Sequence, residues 1–327
     1  MVSVSPHIIY EIGSGFMRAQ HLFVAAEIGV FEQLVDGPAT LEELVQRTHT
    51  PARGLRIILN AVLAMGLLEH SAGRYRNGPV AASYLGGVHS QDLRAFLRYW
   101  ARISYPLWMK LEASVRSGEG SFRPAPDQQN LDLLFEATQA IAPENAEAIA
   151  AVYDFTSCRS VVHVGADNAV HLRTILSRHP QVKGCLFSDA DVVRRVRSYA
   201  REGSVESRIQ LRSGDPFQDR LPGGHDLVLL TNVLQRYGPE LSVELLHRLR
   251  DASSAGCRLL LSNVWTDASQ TQPEFAAIMA GELLITTESG GVVPEPEVRT
   301  WLQDAGWQFL ERRTLVGPPS LIVAEAE

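Results

Sequence analysis

Between residues 16 and 37 the apolar positions Phe16, Ala19, Leu22, Phe23, Ala26, Val30 and Leu34 recur at helical spacing, and Asp36-Gly37-Pro38 ends the run. The tetrad Thr40-Leu41-Glu42-Glu43 is a capping box: the hydroxyl accepts from a free first-turn amide and Glu43 reaches back to the cap amide. A short helix is predicted from there. Thr50-Pro51 repeats the start signal, and Leu55, Ile58, Leu59, Val62 and Leu63 form an apolar face that runs up to Gly66. Residues 67–76 then alternate around a Gly turn and read as a hairpin. Residues 93–115 form a further amphipathic stretch with Tyr99, Trp100, Tyr105 and Trp108. The segment 124–130 reads as a linker, and helical spacing resumes over 131–152.

After Phe155 the pattern changes to apolar strands alternating with segments of helix length, which predicts an α/β fold with a parallel sheet. Seven strands are expected, at 160–164, 184–188, 208–211, 226–231, 258–263, 307–312 and 320–325. Only residues 313–319 join the last two, so the final strand is expected to run antiparallel. The amino-terminal order of helix, helix and hairpin is that of a winged helix. The expected division is a helical winged-helix domain at 1–120, of a kind that often serves as a dimerisation or scaffold element, a linker and helix at 121–157, and a Rossmann-like domain at 158–327.

The length of 327 residues suits two domains with full cores. Thirty Lys and Arg against 37 Asp and Glu give a net charge of −7, which disfavours nucleic acid or an anionic membrane as partner. A small molecule or a second protein chain fits better. With no apolar run of spanning length and no apolar signal core in residues 1–10, a cytoplasmic location is expected. The cysteines Cys158, Cys185 and Cys257 form no CxxC pair and read as buried apolar residues. No metal site is expected, since His163 lies on a strand and His171 in the helix after it.

In such a sheet, ligands lie across the carboxyl ends of the strands near the topological switch point. The loop after the first strand, Gly165-Ala166-Asp167-Asn168-Ala169, has one glycine where close backbone approach to a nucleotide favours several. Asp167 has two opposite readings: a partner for a ligand's amino group, or a side chain filling the space where the ligand would lie. Ser188, followed by Asp189, stands where a ribose-binding carboxylate is expected. Gly214-Asp215-Pro216-Phe217 after the third strand offers a carboxylate and an aromatic suited to an adenine.

On these residues the chain resembles the S-adenosylmethionine-dependent small-molecule O-methyltransferases, over nearly its whole length. Gly214-Asp215-Pro216-Phe217, Leu221-Pro222-Gly223-Gly224-His225-Asp226 and Asp304-Ala305-Gly306-Trp307 fall in that family's register. The family pattern Val-Asp-Val-Gly-Gly-Gly-x-Gly reads here as Val162 to Ala169, with one acidic residue and three of four glycines replaced. Leu-His-Asp-Trp, whose His is the family's general base, reads as Leu234-Gln235-Arg236-Tyr237. The resemblance places Asn263 and Glu297 where the family holds the groups that support this base. It further implies S-adenosylmethionine as cofactor, held by Gly165, Asp167, Ser188, Asp189, Gly214, Asp215 and Phe217, and a homodimer built mainly by residues before Gly120.

From the replaced glycines and Ser188, the cofactor is expected to bind much more weakly than in intact relatives, or not at all. The main expectation is a methyltransferase scaffold repurposed to a cyclisation, rearrangement or similar step on a natural-product intermediate. Gln235, Asn263 and Glu297 would then converge on one cavity walled by Trp108, Phe135 and Thr138. Two alternatives stand beside it: a working methyltransferase with an atypical cofactor loop, and a non-catalytic dimer partner or ligand-responsive regulator.

Overall fold

The computed structural model describes residues 5–87, 91–120, 128–199 and 205–327. By its own contacts the chain divides into two compact units, Met1–Ile103 and Ser104–Glu327.

In the first unit the capping box forms as its residues dictate: Glu43 N–H donates to Thr40 Oγ1 (3.2 Å) and Thr40 N–H to Glu43 Oε2 (2.8 Å), opening the helix Leu41–Thr48. The helix Ala52–Ala64 follows, then the antiparallel strands β1 (Leu68–Ser71) and β2 (Arg74–Asn77). Phe31, Leu44, Leu55 and Leu59 are fully buried between these elements. The first helix differs from its expected span, running His7–Glu27. It stops there because the next residues turn through Gly29 at φ +77°, a conformation that suits glycine. The outer face of that helix is unusually apolar: Ile8, Ile9, Tyr10, Ile12, Phe16 and Met17 are each half exposed or more.

The stretch 93–115 is not one helix. It is divided into Arg94–Tyr99, a wide π-type turn Trp100–Ser104, and the helices Tyr105–Trp108 and Leu111–Ser117. Pro106, lacking an amide hydrogen, cannot continue the preceding ladder. The two later helices, in the second unit, pack on the helix Glu274–Thr286. Of the expected linker, residues 124–127 lie outside the described residues; a helix is already under way at Gln128 and runs to Val152.

The second unit is built on a seven-stranded sheet of β3 (Ser160–Val164), β4 (Lys183–Ser188), β5 (Ile209–Ser213), β6 (Leu227–Thr231), β7 (Arg258–Asn263), β8 (Trp307–Thr314) and β9 (Ser320–Ala326). Their order is β5-β4-β3-β6-β7-β9-β8, with β9 inserted antiparallel between β7 and β8. Val162, Val164, Phe187, Val228 and Leu230 face one apolar layer, and Val161, Leu186, Leu227 and Leu229 the other, as a sheet covered on both faces requires. Chain order reverses between β3 and β6, and the pairings Val164 with Phe187, Ser188 with Ser213, and Thr231 with Ser262 align the carboxyl ends along one edge. Among the described residues no helix is long and apolar enough to cross a membrane.

Candidate active site

Gly165 leaves β3 at φ +67°, and a Cβ there would stand 3.1 Å from Val233 Cγ1. Its amide donates to the Phe187 carbonyl (2.8 Å), tying the loop to β4. The glycine is therefore demanded by the backbone and by Val233 alike. Two of the three residues that replace glycines in this loop, Ala166 and Ala169, are buried and belong to the apolar layer that holds Leu172 and Leu186. Their methyl groups fill the core beneath the loop. Neither alanine side chain is exposed on the surface of the loop. Ser188 is also buried, and its hydroxyl donates to the Ala166 carbonyl (2.8 Å), so it braces the same loop.

Asp167 alone among the replacements points to a charged partner. It forms an ion pair with Arg236, which stands in the short turn Leu234–Arg236 after β6, and both side chains are about one third exposed. Asn232, in the left-handed conformation (φ 55°), receives Arg236 Nε on its carbonyl at 3.2 Å. Asp189 caps the helix Ala190–Ser198 by accepting from Val192 N–H (2.8 Å) and is otherwise exposed. Asp215, exposed, accepts from Phe217 N–H (2.7 Å). Gly214 donates to the Ser188 carbonyl (2.9 Å), and a side chain there would strike the Phe187 ring at 2.5 Å. Phe217 meets Tyr237 edge-on, with ring centroids 4.9 Å apart. Burial pushes the Tyr237 phenol up, and the charges of Arg236, Asp215, Asp167 and Asp189 all bear on it. The structure thus brings together the expected cofactor residues Gly165, Asp167, Ser188, Asp189, Gly214, Asp215 and Phe217, and adds Arg236 and Tyr237.

The other expected site residues are less united. Gln235 is half-buried beside the loop 287–291, whose Gly291 N–H donates to the Gln235 carbonyl (3.0 Å). Asn263 is buried, with its Oδ1 accepting from Val264 N–H (2.9 Å), and so it closes the end of β7. Glu297 is exposed on the first turn of the helix Glu295–Asp304. The buried carboxylate of that helix is Glu295, paired with Arg299 and, at 2.6 Å, with Arg312. Burial raises its pKa, but the two guanidiniums outweigh that and hold it below the usual range. Trp108 donates its indole N–H to the buried Glu282 (2.5 Å), which also accepts from Ser104 Oγ (2.8 Å). Phe135 is a core residue packed against Tyr199, with ring centroids 5.2 Å apart. Thr138 donates its hydroxyl back to the Phe135 carbonyl (2.9 Å). The expected cavity walls are therefore tied into packing and local hydrogen bonds.

Behind the loop lies a buried polar network that the sequence did not reveal. His163 Nε2 contacts Thr231 Oγ1 (2.9 Å), and its Nδ1 has no hydrogen-bond partner among the described residues. Its ring stands edge-on to His171, with centroids 5.3 Å apart. His171 Nε2 reaches Asn145 Oδ1 (2.9 Å), and Asn145 Nδ2 donates to Ser262 Oγ (3.1 Å). Burial holds both histidines neutral: His171 is lowered to about 4, and His163 falls well below its usual value, with His171 and Arg236 adding to the effect. No cluster suited to a metal ion occurs among the described residues.

Whether the edge suits an adenosyl amino acid turns on these contacts. With two alanine methyls in the core, the loop backbone keeps its outer side clear of them, and the edge offers the carboxylates Asp189 and Asp215, an aromatic pair and one ion pair. These groups fit such a ligand. An open cleft of about 750 Å³ lined by Arg212, Arg220 and Arg248 contains none of them.

A family model described as an O-methyltransferase domain matches residues 114–308, and one described as an O-methyltransferase dimerisation domain matches residues 10–87. The chain is 29% identical over 309 residues to 3-hydroxy-5-methyl-1-naphthoate 3-O-methyltransferase of Streptomyces sahachiroi, covering 92% of this chain and 89% of that one. It is 27% identical over 311 residues to an N,N-dimethyltransferase of Streptomyces rimosus, covering 92% and 90%. Human N-acetylserotonin methyltransferase, solved in complex with S-adenosylmethionine, superposes with a TM-score of 0.91 at 23% identity, covering 100% of this chain and 99% of that one, a likeness of fold. These relatives bear the names of methyltransferases, which favours the methyl-transferring alternative over the repurposed, non-methylating step expected from the sequence.

Proposed function

The chain belongs to the O-methyltransferase family, and from that premise we propose that it transfers a methyl group from S-adenosylmethionine to a hydroxyl of a small aromatic natural-product intermediate. One observation carries this reading: the alanines that replace family glycines in the loop after β3 direct their methyls into the core. In this reading residues 158–327 carry the cofactor. Asp189 and Asp215 would hold the nucleoside, with Phe217 and Tyr237 beside the base. The cofactor supplies a methyl group made electrophilic by its cationic sulfur.

The protein's own contribution is positioning and a polar setting. Gln235 can donate a hydrogen bond to an acceptor oxygen, but its amide takes no proton. An ordinary phenol, with a pKa of about 10, is ionised only to roughly one part in a thousand at pH 7. The acceptor is therefore one whose hydroxyl is already acidic, conjugated to a carbonyl or carried on a quinone. One Streptomyces relative is named for a hydroxynaphthoate, likewise a small hydroxylated aromatic. Incubation with cofactor and a panel of hydroxylated naphthoates, quinones and simple phenols tests this by mass spectrometry. Gain of one methyl group on the acidic acceptors supports the reading, and no methylation of any member overturns it.

The working unit in this proposal is a homodimer formed by residues 1–120. The dimerisation domain at 10–87 includes most of the apolar outer face of the first helix, on which Tyr10, Ile12, Phe16 and Met17 stand exposed. Sedimentation at micromolar concentration should give twice the chain mass; a monomer would refute it.

A further inference from the structure

Two of the departures noted in the sequence are partners in space. Asp167 replaces a glycine of the loop after β3, and Arg236 replaces the acid that follows the family's base, 69 residues later in the chain. Their side chains form an ion pair at the carboxyl edge, beside the backbone that leaves β3 at Gly165. The two changes are opposite in sign, and the pair they leave is neutral where the family's glycine and acid together carry one negative charge.

The pair is also only partly satisfied by protein. Arg236 donates from Nη2 to Asp167 Oδ2 and from Nε to the Asn232 carbonyl, and Nη1 has no partner among the described residues. Asp167 likewise has no partner at Oδ1 among them. One unused donor on a fixed cation and one unused acceptor on a fixed anion therefore stand together, partly exposed. A ligand group that carries an ammonium and a carboxylate on one carbon matches both.

We propose, building on the methyltransferase reading, that Asp167 and Arg236 together receive the zwitterionic amino-acid end of the cofactor, Asp167 taking the α-ammonium and Arg236 the α-carboxylate. In the free protein the two charges satisfy each other, and a ligand with both charges replaces each partner with one of the same sign. A ligand lacking this end leaves the pair as it is and gains nothing from it. The pair thus replaces, with side chains, part of the contact that a glycine-lined backbone would make.

The test is calorimetric and needs no turnover. S-adenosylhomocysteine, which carries the zwitterion, and 5′-methylthioadenosine, which lacks it, are titrated into the wild-type protein, Asp167→Asn, Arg236→Gln, and the double variant Asp167→Arg with Arg236→Asp. The expected result is that each single variant loses about ten- to hundredfold in affinity for S-adenosylhomocysteine, as for a lost hydrogen bond to a charged group, and keeps its affinity for 5′-methylthioadenosine. The swapped pair restores an ion pair but reverses its polarity, so it should stay as weak as the single variants, while a merely structural latch would regain wild-type affinity. Thermal unfolding of each variant shows whether it is folded. If the single variants bind S-adenosylhomocysteine as well as wild type or better, or if the swapped pair recovers, the proposal is overturned. If wild type binds neither nucleoside, the methyltransferase reading itself fails, which is a separate outcome.

Discussion

Lowering the pH should loosen this protein well above the range in which its carboxylates titrate, because His163 and His171 are buried without charge. Unfolded, each would titrate near 6.5; folded, His171 is lowered to about 4 and His163 well below its usual value, in both cases chiefly by burial. A group whose folded pKa is depressed in this way binds its proton only in the unfolded chain once the pH drops below about 6.5. Stability is then lost progressively until the folded pKa is reached. At pH 5, about 1.5 units below 6.5, the loss is about 2 kcal/mol for His171, at 1.36 kcal/mol per unit, and His163 adds in the same sense. Against a total of about 5–15 kcal/mol, that is a large share. His225, also lowered by burial, adds in the same sense. The assay is urea unfolding at steps from pH 7.5 to pH 5 for wild type, His163→Gln and His171→Gln. The two variants should be less stable at neutral pH, since each disturbs a buried contact, but each should lose less than wild type on going to pH 5, His171→Gln by about 2 kcal/mol less. If the acid-induced loss is the same in all three proteins, the neutral buried pair is not its cause and the reasoning fails.

Restoring glycines by Ala166→Gly and Ala169→Gly should cost about 0.5–1 kcal/mol of stability each while leaving affinity for S-adenosylhomocysteine unchanged, as read by thermal unfolding and calorimetry; a marked gain in affinity would mean that the methyls obstruct the cleft. Gln235→His should raise kcat for a simple phenol at neutral pH by about tenfold or more, part of what a positioned base contributes, and do little for an acceptor that is already ionised; no gain would show that position 235 does not face the acceptor hydroxyl. Glu295→Gln should destabilise by about 1–3 kcal/mol through its loosened ties to Arg299 and Arg312, whereas the exposed Glu297→Gln should leave both unfolding and turnover near wild type.

The architecture was readable because its signals are local. The capping box at Thr40, the hairpin around Gly73 and the apolar strands from Ser160 onward each announce themselves within a few residues, and the strands lie within about two residues of their expected bounds. The helix Glu295–Asp304 carried a further local signal. Glu295, Val298 and Leu302 share its buried face, and that spacing turns Glu297 outward, so helical phase alone distinguishes the two carboxylates. What the sequence could not tell is the side of a loop on which a Cβ stands. Alanines at 166 and 169 read as lost glycines, although their methyls join the core. Nor could it show that Asp167 meets Arg236, or that His171 reaches Asn145, since both contacts span the fold. The sign of a charge change in one motif matched by its opposite in another was the one clue available to the first of these.

The central claim, that the edge of the sheet still takes the cofactor despite its altered loop, is tested most directly by a crystal structure grown with excess S-adenosylhomocysteine. The account predicts full occupancy, with the nucleoside beside Asp189 and Asp215 and the amino-acid end between Asp167 and Arg236, the direct ion pair opened to admit it. Crystals that show the Asp167–Arg236 pair intact and no ligand at Gly165 would contradict it.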